Sequence, residues 1–239
     1  VIIRAKNYLV QGQARLTQGL LAKAFGNANY ALKIIRDAGG ADTNKILRAQ
    51  LHLLAASALD ASGQPMAALE RVRLATTLAP THVRIVKTAV AAYIANGDTK
   101  SALAAITPLT TTQFAQSAIV YQGCALVASD RVGEGVEMLA VIVPQMTLPH
   151  LLADSILGRT CLAMGYLKVS RLDDARSALD HARSKILSHP TPSLVWRIHA
   201  IDGAINAARG QWLAAAGAWR QAMDRFVDLM GEQSWRGAL

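Results

Sequence analysis

A chain of 239 residues that is 52% hydrophobic carries enough apolar mass for a large buried core, which excludes an intrinsically disordered segment. Its 25 Lys and Arg against 16 Asp and Glu give a net charge of +9, which admits nucleic acid or an acidic surface as a partner. Cys124 and Cys161 are too few for a disulfide framework, show no CxxC or Cys/His spacing and lie in apolar runs, so they read as small buried hydrophobes.

Ala and Leu are abundant and apolar residues rarely alternate at period two, so the fold is expected to be all-α. Six units follow in chain order, each with small residues at offsets of twelve and seven around a turn. The first, over 12–45, has Gly19, Ala31 and Ala38 with a turn at "FGNAN". The second, 49–82, has Ala56, Ala68 and Ala75 with "ASGQP", and Pro80 closes it because proline cannot continue a helix. The third, 83–115, has Val90, Ala102 and Leu109 with "NGD"; the fourth, 116–149, has Gly123, Gly135 and Ile142 with "SDRVGEG". The uncharged run from Ser101 to Ser129 is broken by Pro108 and "TTTQ", so it predicts a buried helical pair and not a membrane span. The fifth, 156–189, has Ala163, Ala175 and Ala182 with "VSRLDD"; the sixth, 196–229, has Gly203, Ala215 and Ala222 with "ARGQ". Residues 230–239 remain as a cap or tail, and 1–239 is expected to form one domain. The chain starts at Val1 without Met, so it is expected to be a piece of a longer protein whose targeting signal would be out of view.

The order of small residue, turn, Ala, aliphatic or aromatic, Ala and Pro resembles the tetratricopeptide repeat, a helix–turn–helix unit of 34 residues, most closely over Gln50–Pro80. Trp219 between Ala215 and Ala222 stands where that family prefers a large aromatic; His52 and Leu59 replace its Trp and Tyr. The resemblance implies a right-handed α-solenoid of about six TPR-like helix–turn–helix repeats. Trp196, Trp212, Trp219 and Trp235 all fall in the last repeat and its tail, where core and end-capping roles are expected. Asp173, Asp174, Arg176, Asp180 and Arg183 are expected to form solvated pairs along one helix face.

No protease, hydrolase, P-loop or dinucleotide motif is present, and no metal-ligand spacing, so neither catalysis nor a cofactor or metal is expected. In the family, first helices line a concave groove. That resemblance places Gln13, Leu16, Leu20, Gln50, Leu53, Ser57, Arg84, Lys87, Val120, Cys124, Leu157 and Met164 on a largely apolar partner-binding surface. Leu16 and Leu20 stand where carboxylate-clamping relatives use Lys and Asn, which argues against that ligand. The expected function is a non-catalytic scaffold or regulatory domain, bacterial in style, that binds a peptide or helix, with a segment of the parent protein as another occupant. The cytoplasm is the favoured compartment. The alternative is a helical-repeat nucleic-acid binder, because residues 1–48 carry eight Lys and Arg against Asp37 and Asp42.

Overall fold

A computed structural model describes residues 1–39, 44–188 and 192–230 and is 84% helical, with no strand among the described residues. Helical hairpins follow one another: α1 (Ile2–Thr17) with α2 (Leu21–Asp37), α3 (Lys45–Ala61) with α4 (Pro65–Leu78), and α5 (Val83–Ala95) with α6 (Thr99–Ile106). Then come α7 (Ala115–Ala128) with α8 (Val132–Ile142), α9 (Leu152–Lys168) with α10 (Leu172–Ser188), and α11 (Pro192–Ala208) with α12 (Trp212–Met230). Residues Val1–Pro108 and Leu109–Leu229 make up two compact units.

The punctuation of the hairpins is local chemistry. Pro65 opens α4 at a position whose N–H has no helical partner, and Pro80 follows its end. The Asp98 carboxylate caps α6 by accepting from the Ser101 backbone N–H at 3.1 Å. Between most paired helices the chain turns through a left-handed residue, Gly63 and Gly97 among them, where a side chain would be strained; the α7–α8 turn does without one, with Ser129 extended. Ser170 occupies the equivalent place between α9 and α10 with φ 60.

The first hairpin departs from the sequence expectation. "FGNAN" is no turn: α2 runs through it, and the chain reverses at Gln18–Leu20 around Gly19, φ 71. The small-residue triplet of this hairpin is therefore Gly12, Ala24 and Ala31, with the same offsets of twelve and seven. The expected register had slipped by seven residues. A glycine costs a helix interior about 1 kcal/mol, but here packing outweighs it. Ala24, Ala28 and Ala31 are fully buried, and Arg15 of α1 donates to Asn27 Oδ1 at 2.6 Å.

The triplets do pack closely. Ala68 and Ala75 of α4 are 3% and 0% exposed, and Ala163, Ala175 and Ala182 are all fully buried. A Cβ on Gly12 would stand 2.5 Å from Leu54 Cδ2 on α3, so this glycine sets how near α1 and α3 approach. The first unit's core gathers Ala5, Leu9, Ala28, Ala31, Ile35, Leu47, Leu51 and Leu54 around these small positions. Ala68→Leu is expected to overpack the α3–α4 contact and cost roughly 1 to 3 kcal/mol. A thermal melt coinciding with the parent's would contradict the packing assigned to Ala68.

Cys124 on α7 and Cys161 on α9 form a disulfide with their Cα atoms 5.4 Å apart. The sequence expectation of two independent buried hydrophobes is thus corrected. Each lacks a short-range motif because its partner is on the neighbouring hairpin's first helix, 37 residues away.

Candidate functional site

In the first unit, α1, α3 and α5 are the first helices of three successive hairpins, and their side chains enclose an open groove of about 180 Å3. Gln13 and Leu16 come from α1, Gln50, Leu53, Leu54 and Ser57 from α3, and Arg84, Ile85 and Thr88 from α5. The Ser57 and Thr88 hydroxyls donate to the Leu53 and Arg84 carbonyls one turn back, at 3.0 and 2.9 Å. Those two polar groups are thereby satisfied within their own helices. An adjoining cleft of about 60 Å3 shares Leu53, Ser57 and Thr88 and ends on Asp60 and Asn96. A cation, Arg84, and an anion, Asp60, therefore flank an otherwise largely aliphatic surface.

Six of the residues picked from the sequence, Gln13, Leu16, Gln50, Leu53, Ser57 and Arg84, thus line one groove. Gln13 and Leu16 are there despite the register slip, because seven residues fall about 20° short of two helical turns and return to the same face. Leu20 does not follow them: α1 ends at Thr17, and Leu20 lies half-buried in the turn. Lys87, half-buried on α5, is outside the lining of this groove.

The second unit treats the same places differently. Val120 is 0% and Cys124 5% exposed, so neither offers a docking surface, and the expectation for both is corrected. The cause is close approach of α9 to α7. At Gly158 a Cβ would stand 2.6 Å from Val143 and 3.2 Å from Val120, and the cystine closes the same interface. Leu157 and Met164 are half-buried on α9. A buried polar pair that the sequence did not reveal completes this contact: the Ser117 hydroxyl donates to Asp154 Oδ2 at 2.5 Å. Burial, aided by the Asp154 charge, pushes the nearby Tyr121 phenol well up.

The acidic and basic residues of α10 reach further than one helix face. Arg183 does pair with Asp180 on its own helix at 3.4 Å, but it also bridges to Asp202 of α11 at 2.5 Å. Arg176 joins the same carboxylate and donates to Asn206 at 2.6 Å, so the network staples α10 to α11. Trp219, 42% exposed, packs its ring on Gly203 of α11 and donates its indole N–H to the Ala200 carbonyl at 3.2 Å, in line with a capping role, whereas Trp212 is 68% exposed and Trp235 lies outside the described residues.

His52 and His199 hold equivalent places on α3 and α11, and neither Nδ1 has a hydrogen-bond partner. Burial, then the charges of Arg71 and Arg48, lower the His52 pKa from 6.5 to about 4. The unfolded chain binds this proton near pH 6.5 and the folded one only near pH 4, so stability is complete above that window and falls as pH drops through it. Denaturant midpoints at pH 7 and pH 4.5 are expected to show the lower value at pH 4.5, with a smaller difference in His52→Gln.

Among the described residues no group of His, Cys, Asp and Glu could hold a metal, and no helix is long and apolar enough to cross a membrane. No protein-family model matches the sequence, and neither does any curated protein. Solved structures do resemble it, two of them from one protein. One is of the nearly identical TPR-like repeats of a Podosopora anserina kinesin light chain-like protein: TM-score 0.57, 17% identity, 79% of this chain and 98% of that one. A point variant of those repeats gives a TM-score of 0.59 at 18% identity over 77% and 95% of the two chains. At such identity the likeness is one of fold. The chain has the fold of the TPR-like helical repeat solenoids.

Proposed function

We propose that this chain is a non-catalytic protein-interaction scaffold whose groove across α1, α3 and α5 takes a short helix or extended segment of a partner protein. The observation that carries the reading is the convergence of Gln13, Leu16, Gln50, Leu53, Ser57 and Arg84, from three successive first helices, on one open groove. A groove that is aliphatic along its floor and ends in Arg84 and Asp60 suits an amphipathic segment with an acidic and a basic end. The proposed surface is shorter than the strip expected from the sequence, because Val120 and Cys124 are buried. The cystine supports an oxidising compartment in place of the cytoplasm. Nothing in the comparisons favours the nucleic-acid alternative.

The test is a pull-down from the native host with three variants, each first checked for helicity. Leu53→Ala and Arg84→Glu are expected to lose the partner that the parent retains; truncating a good anchor costs on the order of 2 kcal/mol. Met66→Ala, on α4 and 74% exposed, is expected to keep it. Groove variants that keep every partner while the Met66 variant loses one would move the binding surface off the groove.

A further inference from the structure

On the other side of α3 from the groove lies a larger cleft of about 480 Å3, lined by Asn29, Leu32, Lys33 and Arg36 of α2, Arg48 and His52 of α3, and Arg71 of α4. The separation follows from helical geometry, since Arg48 and Gln50 stand roughly 200° apart around α3. Four cations line the cleft, and no carboxylate does among the described residues. At its edge Asp37 meets Arg36 Nε at 3.4 Å, an exposed pairing. Arg71 also stacks over the Phe25 ring at 5.8 Å, which orients its guanidinium from the α4 side.

His52 reports the local field from inside. It is 8% exposed, borders the cleft and has an unpartnered Nδ1, and the positive charges of Arg71 and Arg48 add to burial in keeping it neutral. Four cations lining one cleft set up a positive field that attracts an anion into it. Guanidinium groups match phosphate oxygens with paired N–H donors, whereas Lys33 acts as a point charge. The volume is that of a small-molecule site. The only ring among the lining residues is that of His52, which is 8% exposed and so leaves little face on which a base could stack.

We infer that the cleft between α2, α3 and α4 is a binding site for a small oligophosphate, held by Lys33, Arg36, Arg48 and Arg71. The site goes beyond the partner-binding reading and does not depend on it, because the two surfaces share no lining residue.

Titration calorimetry of the whole chain at physiological ionic strength would use sodium tripolyphosphate, orthophosphate and a short oligo-dT. Tripolyphosphate is expected to bind one to one, more tightly than orthophosphate, and to shift the His52 ring resonances. Arg48→Gln with Arg71→Gln should weaken it by roughly tenfold or more per cation lost. Lys33→Gln with Arg36→Gln, on two exposed side chains, provides the same reading if the first pair does not fold. Arg73→Gln, on the opposite face of α4 and paired with Asp98, should leave affinity unchanged. Absence of tripolyphosphate binding, equal loss in the Arg73 variant, or oligo-dT binding that tripolyphosphate does not displace would each overturn the assignment.

Discussion

Reducing the Cys124–Cys161 cystine is expected to lower the unfolding free energy of the second unit by about 4 kcal/mol, the chain-entropy value for a loop closed over a separation of 37 residues. Over a unit the size of Leu109–Leu229, that corresponds to a fall in Tm of roughly 15 °C. The bond ties two helices that already bury Val120, Ser117 and Asp154 between them, so its loss leaves the interface formed but less constrained. Melts with and without a phosphine reductant measure the effect, and Cys124→Ala with Cys161→Ala should reproduce the reduced curve. Two titratable thiols in the unreduced protein, with superimposable melts, would show that the pair is not bonded. A cystine that persists when cells are lysed into a thiol-alkylating reagent would also place the chain in a compartment that maintains disulfides.

Gly135→Ala should be nearly as damaging. Its added methyl would stand 2.7 Å from the Val127 nitrogen and 2.8 Å from the Gly123 carbonyl oxygen, both backbone atoms of α7 that no rotamer change can move. The α7–α8 hairpin must open to admit it, at a cost of about 3 kcal/mol. Gly217→Ala on α12 is the matched control: no atom lies within 4 Å of the new methyl, and a helix interior gains about 1 kcal/mol from the exchange. Chemical denaturation of both variants should therefore shift in opposite directions. A Gly135 variant as stable as the parent would remove the close-packing account of the small-residue triplets.

The repeat was legible because small residues at offsets of twelve and seven are a packing requirement, and α3 to α12 turn where that pattern places their turns. The first hairpin was misread because Gly and Asn in "FGNAN" carry a local turn preference that burial of Asn27 and Ala28 overrides. Gly19 and Gly12 are seven apart, so composition alone could not choose between them. Groove residues of the first unit survived that slip through the near-heptad return of a helix face. Those of the second did not, since Gly158 draws α9 onto Val120, an effect of neighbouring helices that no single repeat encodes. The cystine was within reach of the same register. Cys124 and Cys161 hold the places that Gln13 and Leu54 hold in the first unit, where both line one groove. The basic cleft was not, because Lys33, Arg36, Arg48 and Arg71 come from three helices and look like ordinary surface charges in sequence.

The groove assignment is tested most directly by a photo-crosslinking side chain at Ser57, exposed on α3 within the groove, against the same group at Met66 on α4. Irradiation in the native host, followed by mass spectrometry of the adduct, reads which surface a partner touches. A discrete adduct at Ser57, mapped to one segment of one protein and absent at Met66, is the result expected of a groove-binding scaffold. An adduct at Met66 with none at Ser57 would contradict it.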